Sequence, residues 1–192
     1  MKFTKIKKIA KGWSSYIWLV QTEEGKELVL KEVREKSPRK DLAEREGKML
    51  QLANSARVGP KVEEINYEEN YVLMEYIKGP KLFDWILNDE FEKTITKKQL
   101  WNFLKELYKQ ILLLDSINLS HNQLQVGKNI LVVENKGKNG EKEFAPVIID
   151  FEKATIKENT HTKNIGQIES MLFYNPNGIL AKKVQEKLEA KL

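Results

Sequence analysis

The chain has 192 residues, 41% hydrophobic and 32% charged, which suits one domain or two small lobes with a buried core and excludes a disordered or fibrous chain. Its formal charge of +5 comes from 33 basic and 28 acidic residues scattered along the sequence, the pattern of solvated faces, so no direct nucleic-acid partner is expected. With no cysteine, disulfide frameworks, thiol nucleophiles and zinc–thiolate sites are excluded and a cytoplasmic setting is expected; no signal-like segment opens the chain, and apolar runs such as Ile111 to Leu114 are far too short to cross a membrane.

The first thirty-five residues read as a β-meander. Phe3, Ile6 and Ile9 precede a turn at Lys11 to Ser15, Tyr16 to Val20 is dense in aromatic and branched residues, and Leu28 to Val33 follows a Glu24-Gly25 turn. The tip of the first hairpin, Ala10 to Ser15, is small-residue-rich apart from Trp13, and its amides either face an anion or merely close a turn. Lys31 shares a strand face with Val29 and Val33, where it either snorkels at an edge or meets an anion. Ser37-Pro38 predicts the start of a helix running to about Asn54, with Leu42, Met49, Leu50 and Ala53 as its apolar stripe. Glu46 falls within that stripe, so a strand lysine and a helix glutamate become natural partners.

Strands over Val62 to Asn66 and Tyr71 to Ile77 complete a first lobe of five strands and one helix, residues 1–77. The chain then turns helical over residues 78–192, beginning with Leu82 to Leu87. The long helix Lys97 to Ile117 carries Leu100, Phe103, Leu104, Leu107, Ile111 and Leu114 at helical spacing, a core stripe. A polar loop, Ser120 to Asn129, leads into a strand from Ile130, and a charged hairpin over Lys136 to Lys142 leads to Val147-Ile148-Ile149-Asp150-Phe151-Glu152. Helices near Asn164 to Phe173 and from Ile179 onward follow. Asp150 stands where a buried strand runs out, and such a carboxylate either caps a turn or holds a metal or a catalytic proton.

Taken in order, these segments resemble the eukaryotic-like protein kinase fold, and within it the small atypical archaeal kinases, similar to the Rio kinases and the minimal kinase subunit of the KEOPS tRNA-modification complex. Val147 to Glu152 resembles the strand and Asp-Phe-Gly motif, with Glu152 in place of the glycine. Leu28-Val29-Leu30-Lys31 resembles the Val-Ala-Ile-Lys strand, and Glu46 matches the glutamate that pairs with its lysine. Ile9 to Ile17 resembles the nucleotide loop, keeping Gly12 and placing Ser14 at its tip. Val72 to Gly79 resembles the hinge, whose backbone at Glu75 and Ile77 would meet an adenine, and Asn129 resembles the metal-binding asparagine.

The resemblance implies an α+β, bilobal protein-kinase-like fold: a five-stranded antiparallel sheet plus one helix, then a truncated, mostly helical second lobe. It implies ATP and Mg²⁺ as cofactors, Lys31 on the α/β-phosphates, Glu46 fixing Lys31, and Asn129 with Asp150 on the metal. It implies a slow Ser/Thr protein kinase with a protein substrate, the chain itself among the acceptors, or an assembly partner; the alternative is an ATP-binding pseudokinase or an ATPase serving as a switch. The catalytic loop departs from the family. His121-Asn122-Gln123-Leu124 matches its form, yet Gln123 occupies the aspartate position, and counting back five residues from Asn129 lands on Leu124. Neither side chain accepts a proton, and His121 is the remaining candidate base or a structural support of the loop. Only forty residues follow Glu152, so regulation through a long activation loop is not expected.

Overall fold

Branched and aromatic residues alternating with polar ones give five strands in the first part of the chain: β1 (Phe3–Lys11), β2 (Ser15–Thr22), β3 (Glu27–Val33), β4 (Val62–Asn66) and β5 (Tyr71–Glu75). They form the expected antiparallel sheet, in the order β1-β2-β3-β5-β4. The structure, a computed structural model, describes residues 1–37, 40–137, 140–157, 162–175 and 177–189. A period of two sorts the faces of the sheet. Val20, Leu28, Leu30, Tyr71 and Leu73 form a core on one face, closed by Phe3 and Trp18. Lys31 lies on the other, in register with Ile17 of β2 and Val72 of β5.

The helix expected from Ser37 begins later. Pro38 lies outside the described residues; the Ser37 N–H donates back to the Arg34 carbonyl, and a π-type turn at Ala43–Gly47 runs directly into α1 (Lys48–Ser55). The start is set from a distance. Asn70, in the β4–β5 turn at a left-handed φ of 57°, accepts the Ala43 N–H through its Oδ1 at 2.9 Å. The π turn then passes very close to the sheet, since a Cβ on Gly47 would sit 2.9 Å from Ile65 Cγ2. Glycine costs a helix about 1 kcal/mol relative to alanine, and here it permits that approach.

The chain divides into two compact units, Met1–Tyr76 with Asp150–Lys153, and Ile77–Ile149 with Ala154–Leu192. In the second, α2 (Leu82–Leu87), α3 (Asp89–Thr94) and α4 (Lys97–Ser116) follow one another. A reciprocal capping box between Thr96 and Gln99 starts α4, and the six apolar residues expected on its stripe are all buried. Strands β6 (Leu119–Ser120), β7 (Ile130–Lys136), β8 (Lys142–Ile148) and β9 (Thr155–Ile156) make two small antiparallel pairs, β6 with β9 and β7 with β8. Then α5 (Asn164–Glu169) continues into a π-type turn, Ser170–Tyr174, and α6 (Ile179–Glu189) follows. Gly79 is required by a close approach: a Cβ there would lie 2.1 Å from the Val132 carbonyl oxygen of β7. Among the described residues no helix is long and apolar enough to cross a membrane.

Candidate functional site

The middle of β3 carries a lysine where its neighbours on β2 and β5 are Ile17 and Val72, and only 6% of Lys31 remains exposed. A buried ammonium without partners costs several kcal/mol, so the first unit must supply carboxylates. It supplies three. Glu46, 1% exposed on the π turn, forms an ion pair with Lys31 Nζ; Asp150 Oδ1 lies at 2.8 Å and Glu152 Oε2 at 3.8 Å. Glu46 reaches the lysine because it stands four residues after Leu42 and four before Leu50, on the helical face that these two share with Ala53, all of them buried. Asp150 reaches it because the backbone leaves β8 through a left-handed conformation, φ 67°, which turns the strand into the short 3₁₀ turn Phe151–Lys153. The fully buried Phe151 anchors that turn.

These charges act on one another unequally. Burial by itself would depress the lysine, but the charges of Glu46 and Asp150 and their hydrogen bonds outweigh it and hold Lys31 above its ordinary value. Burial pushes Glu46 up to about 7 against the pull of Lys31, and the nearby Asp150 and Glu152 carboxylates push the same way. The lysine therefore keeps its proton, and the glutamate is the strained partner. Carboxylate oxygens of Glu46, Asp150 and Glu152 all lie within 4.8 Å of one another, an all-oxygen donor set suited to a hard divalent cation.

The hairpin tip belongs to the same unit. Ser14, buried, donates from Oγ to Glu152 Oε2 at 2.8 Å. The Arg34 guanidinium donates to the carbonyls of Gly12 and Trp13, both at 3.0 Å, and so fixes the turn. Of the amides considered as anion donors at the tip, that of Gly12 is committed to the Ser15 carbonyl at 2.9 Å. At the far end of the sheet the Glu75 N–H donates to the Lys61 carbonyl, and the exposed Glu75 carboxylate accepts the Lys61 N–H. Ile77, half-buried, opens the second unit.

Within the second unit the loop after β6 is held from several sides. His121 is fully buried; its Nε2 lies 2.9 Å from the Ile149 carbonyl, and its N–H donates to Asn164 Oδ1 at 2.8 Å. Asn164 in turn donates to Asp115 and to the Leu119 carbonyl, and Gln167 accepts the Leu124 N–H. Of the two positions considered for the missing aspartate, Leu124 is wholly buried, whereas the Gln123 carbonyl accepts from Asn129 Nδ2 at 3.1 Å. The Asn129 carbonyl accepts the Ile149 N–H at 2.9 Å. The structure thus brings Lys31, Glu46, Asp150 and Ser14 together in the first unit, and Gln123 and Asn129 together in the second. Sequence reading missed Asn164 and Gln167, whose only signal is a pair of amides one helical turn apart on a short helix.

No family model matches the chain. In fold it is similar to Rio2 kinase from Chaetomium thermophilum, known from the crystal structure of its ADP/Mg²⁺-phosphoaspartate complex: the TM-score is 0.66 over 97% of this chain, at 16% identity. This chain spans 62% of the Rio2 kinase chain. The fold is therefore that of the atypical protein kinases. In sequence the chain is 30% identical over 115 residues to the uncharacterized protein MJ1211 of Methanocaldococcus jannaschii, covering 60% of this chain and 83% of that protein. It belongs to the MJ1211 family.

Proposed function

We propose that the chain is an ATP- and Mg²⁺-binding phosphotransferase that passes the γ-phosphoryl group to a Ser or Thr hydroxyl of a protein, itself included, at a low rate. The observation that carries this reading is the buried ammonium of Lys31 held between Glu46 and Asp150 in an atypical protein-kinase-like fold. A lysine kept protonated and aimed by a glutamate is suited to the α/β-phosphates, and the turn of Asp150 beside it is suited to their cation. Main-chain groups of Glu75 and Ile77 are the proposed adenine contacts, and Gly12 and Ser14 the proposed loop over the phosphates.

The donors fit Mg²⁺. They are oxygens only, with Asp150 as the first proposed ligand and, as the second, Oδ1 of Asn129, whose amide nitrogen is committed to the Gln123 carbonyl. When bound, the cation would offset the charge of the phosphate oxygens. In the transfer the acceptor oxygen forms a bond to the γ-phosphorus, the bond from that phosphorus to the β–γ bridging oxygen breaks, ADP leaves, and the hydroxyl proton passes to solvent. Gln123 takes no proton, so the rate rests on alignment and charge, without general-base help worth about 10²–10⁴-fold.

A second reading is favoured by that same glutamine. A carboxylate needs no base to attack phosphorus, Asp150 has 37% of its side chain exposed, and the Rio2 kinase neighbour is a phosphoaspartate complex. Phosphoryl transfer to Asp150 followed by hydrolysis would make the chain an ATPase switch in a protein assembly. Calorimetric titration with ATP and Mg²⁺, then turnover of γ-labelled ATP with Asp150→Ala as control, tests both. Label on protein that survives hydroxylamine supports the hydroxyl acceptor, label removed by hydroxylamine supports the aspartyl route, and no nucleotide binding ends both.

A further inference from the structure

The inner face of α4 is core, but its outer face is not a solvated one. Trp101, Tyr108 and Leu112 recur along it at i, i+7 and i+11, and Trp101 and Leu112 are 48% and 55% exposed. They line an open groove of about 590 Å³ whose remaining wall includes Phe173, from the π-type turn after α5. Single exposed apolar residues need no explanation, but an apolar stripe along a groove in a chain this rich in charge does.

The charges at the groove say what would cover it. Among the described residues, the charged ones that line it are Lys105 and Lys109. Lys109 meets Glu106 of its own helix at 3.5 Å, an exposed pair worth little, and Lys105 has no ion pair among the described residues. A second copy docking the same face would bring four ammonium groups together, which disfavours a homodimer here. A partner helix with an apolar ridge and flanking carboxylates would bury the stripe and meet both lysines.

We infer that this face of α4 is a docking groove for an amphipathic, acidic-flanked helix of another protein. The occupant is a protein helix whose apolar residues recur at i, i+4, i+7 and i+11, with Glu or Asp beside them. The inference stands apart from the phosphotransfer reading, since none of its residues belongs to the nucleotide or metal site proposed above.

The test uses the full chain, isotopically labelled and titrated with a designed helical peptide of that pattern, leucines on the ridge and glutamates on the flanks, and with the same peptide carrying lysines on the flanks. The glutamate peptide is expected to shift the Trp101 indole signal and the amides along 105–116, with a Kd of roughly 10–100 µM. Lys105→Glu with Lys109→Glu should reverse the preference between the two peptides by about tenfold or more. Leu112→Arg should abolish binding of both, and because all three positions are exposed, unchanged melting temperatures will show that the variants fold. Equal binding of both peptides, no binding at millimolar peptide, or a preference that survives the charge reversal overturns the proposal. Sedimentation showing a dimer that Leu112→Arg dissolves overturns it in favour of self-association.

Discussion

The Ser14 hydroxyl and the Glu152 carboxylate, 138 positions apart in sequence, share a hydrogen bond of 2.8 Å that joins the tip of the first hairpin to the turn after Asp150. Glu152 stands where the resembled motif has glycine, so this tie is a feature the motif itself does not supply. It also adds a third carboxylate around a single ammonium.

An excess of negative charge there disfavours bare polyphosphate. Glu152→Gln keeps an acceptor for Ser14 while removing the charge, and is expected to raise the affinity for ATP in the presence of a chelator by about fivefold, the scale of a partly screened charge at this range. Titration calorimetry with and without Mg²⁺ checks it. Unchanged cation-free affinity would leave Glu152 as a purely structural tie.

Removing the lysine should be worse than removing its glutamate. Lys31→Met strands three carboxylates together, and breaking a buried pair this way costs about 3–5 kcal/mol. Glu46→Gln leaves Lys31 with Asp150 and Glu152, so a smaller loss is expected, and Lys31→Met combined with Glu46→Leu should recover part of the larger one. Urea denaturation of the three variants measures the order.

Stability should also depend on pH through Glu46. Its ordinary value of 4.5 rises to about 7 in the folded chain, so the native state binds a proton more tightly than the unfolded one. The resulting stabilisation is fully present below about 4.5 and is lost as pH rises through 7, with an upper bound of about 3 kcal/mol. Lys31, also raised, loses its contribution only at strongly alkaline pH, above its ordinary 10.5. Relative to Glu46→Gln, the parent chain should therefore weaken between pH 5 and about 7.5 and change little from there to pH 9. A flat difference across that range would mean that Glu46 stays ionised throughout.

If a hydroxyl is the acceptor, Gln123→Asp should raise turnover by about 10²-fold or more, because it places a base at the loop position tied to Asn129. If aspartyl transfer operates, the same change should do little. Measured initial rates with labelled ATP, at saturating Mg²⁺, separate the two.

The sheet and α4 were legible because each repeats a period within one stretch of chain, two for β3 and 3.6 for the stripe from Leu100 to Leu114. The pairing of Lys31 with Glu46 was legible for a related reason: each sat on an apolar face where a charge needs an opposite. What stayed hidden depends on residues far apart. The helix start moved because Asn70, 27 positions on, caps Ala43, and the loop at His121 is built by Asn164, 43 positions on. Gly79 read as punctuation, whereas the Val132 carbonyl makes it a packing requirement. Gly47 carried no signal at all until Ile65 was seen against it. The helix α3 went unread because its apolar content is a single phenylalanine, Phe91, among charged neighbours.

One edge of the sheet bears on how copies of the chain behave together. Side chains of β1 from Thr4 to Lys11 are all exposed, Ile6 and Ile9 among them, and among the described residues no strand pairs with its outer side. Such an edge invites strand-to-strand association. Lys7, Lys8 and Lys11 make two approaching copies repel one another along it, and that protection is ionic. At about 1 M salt, where screening acts within roughly 3 Å, the same strand becomes adhesive, so concentrated stocks of the protein should keep best in dilute buffer.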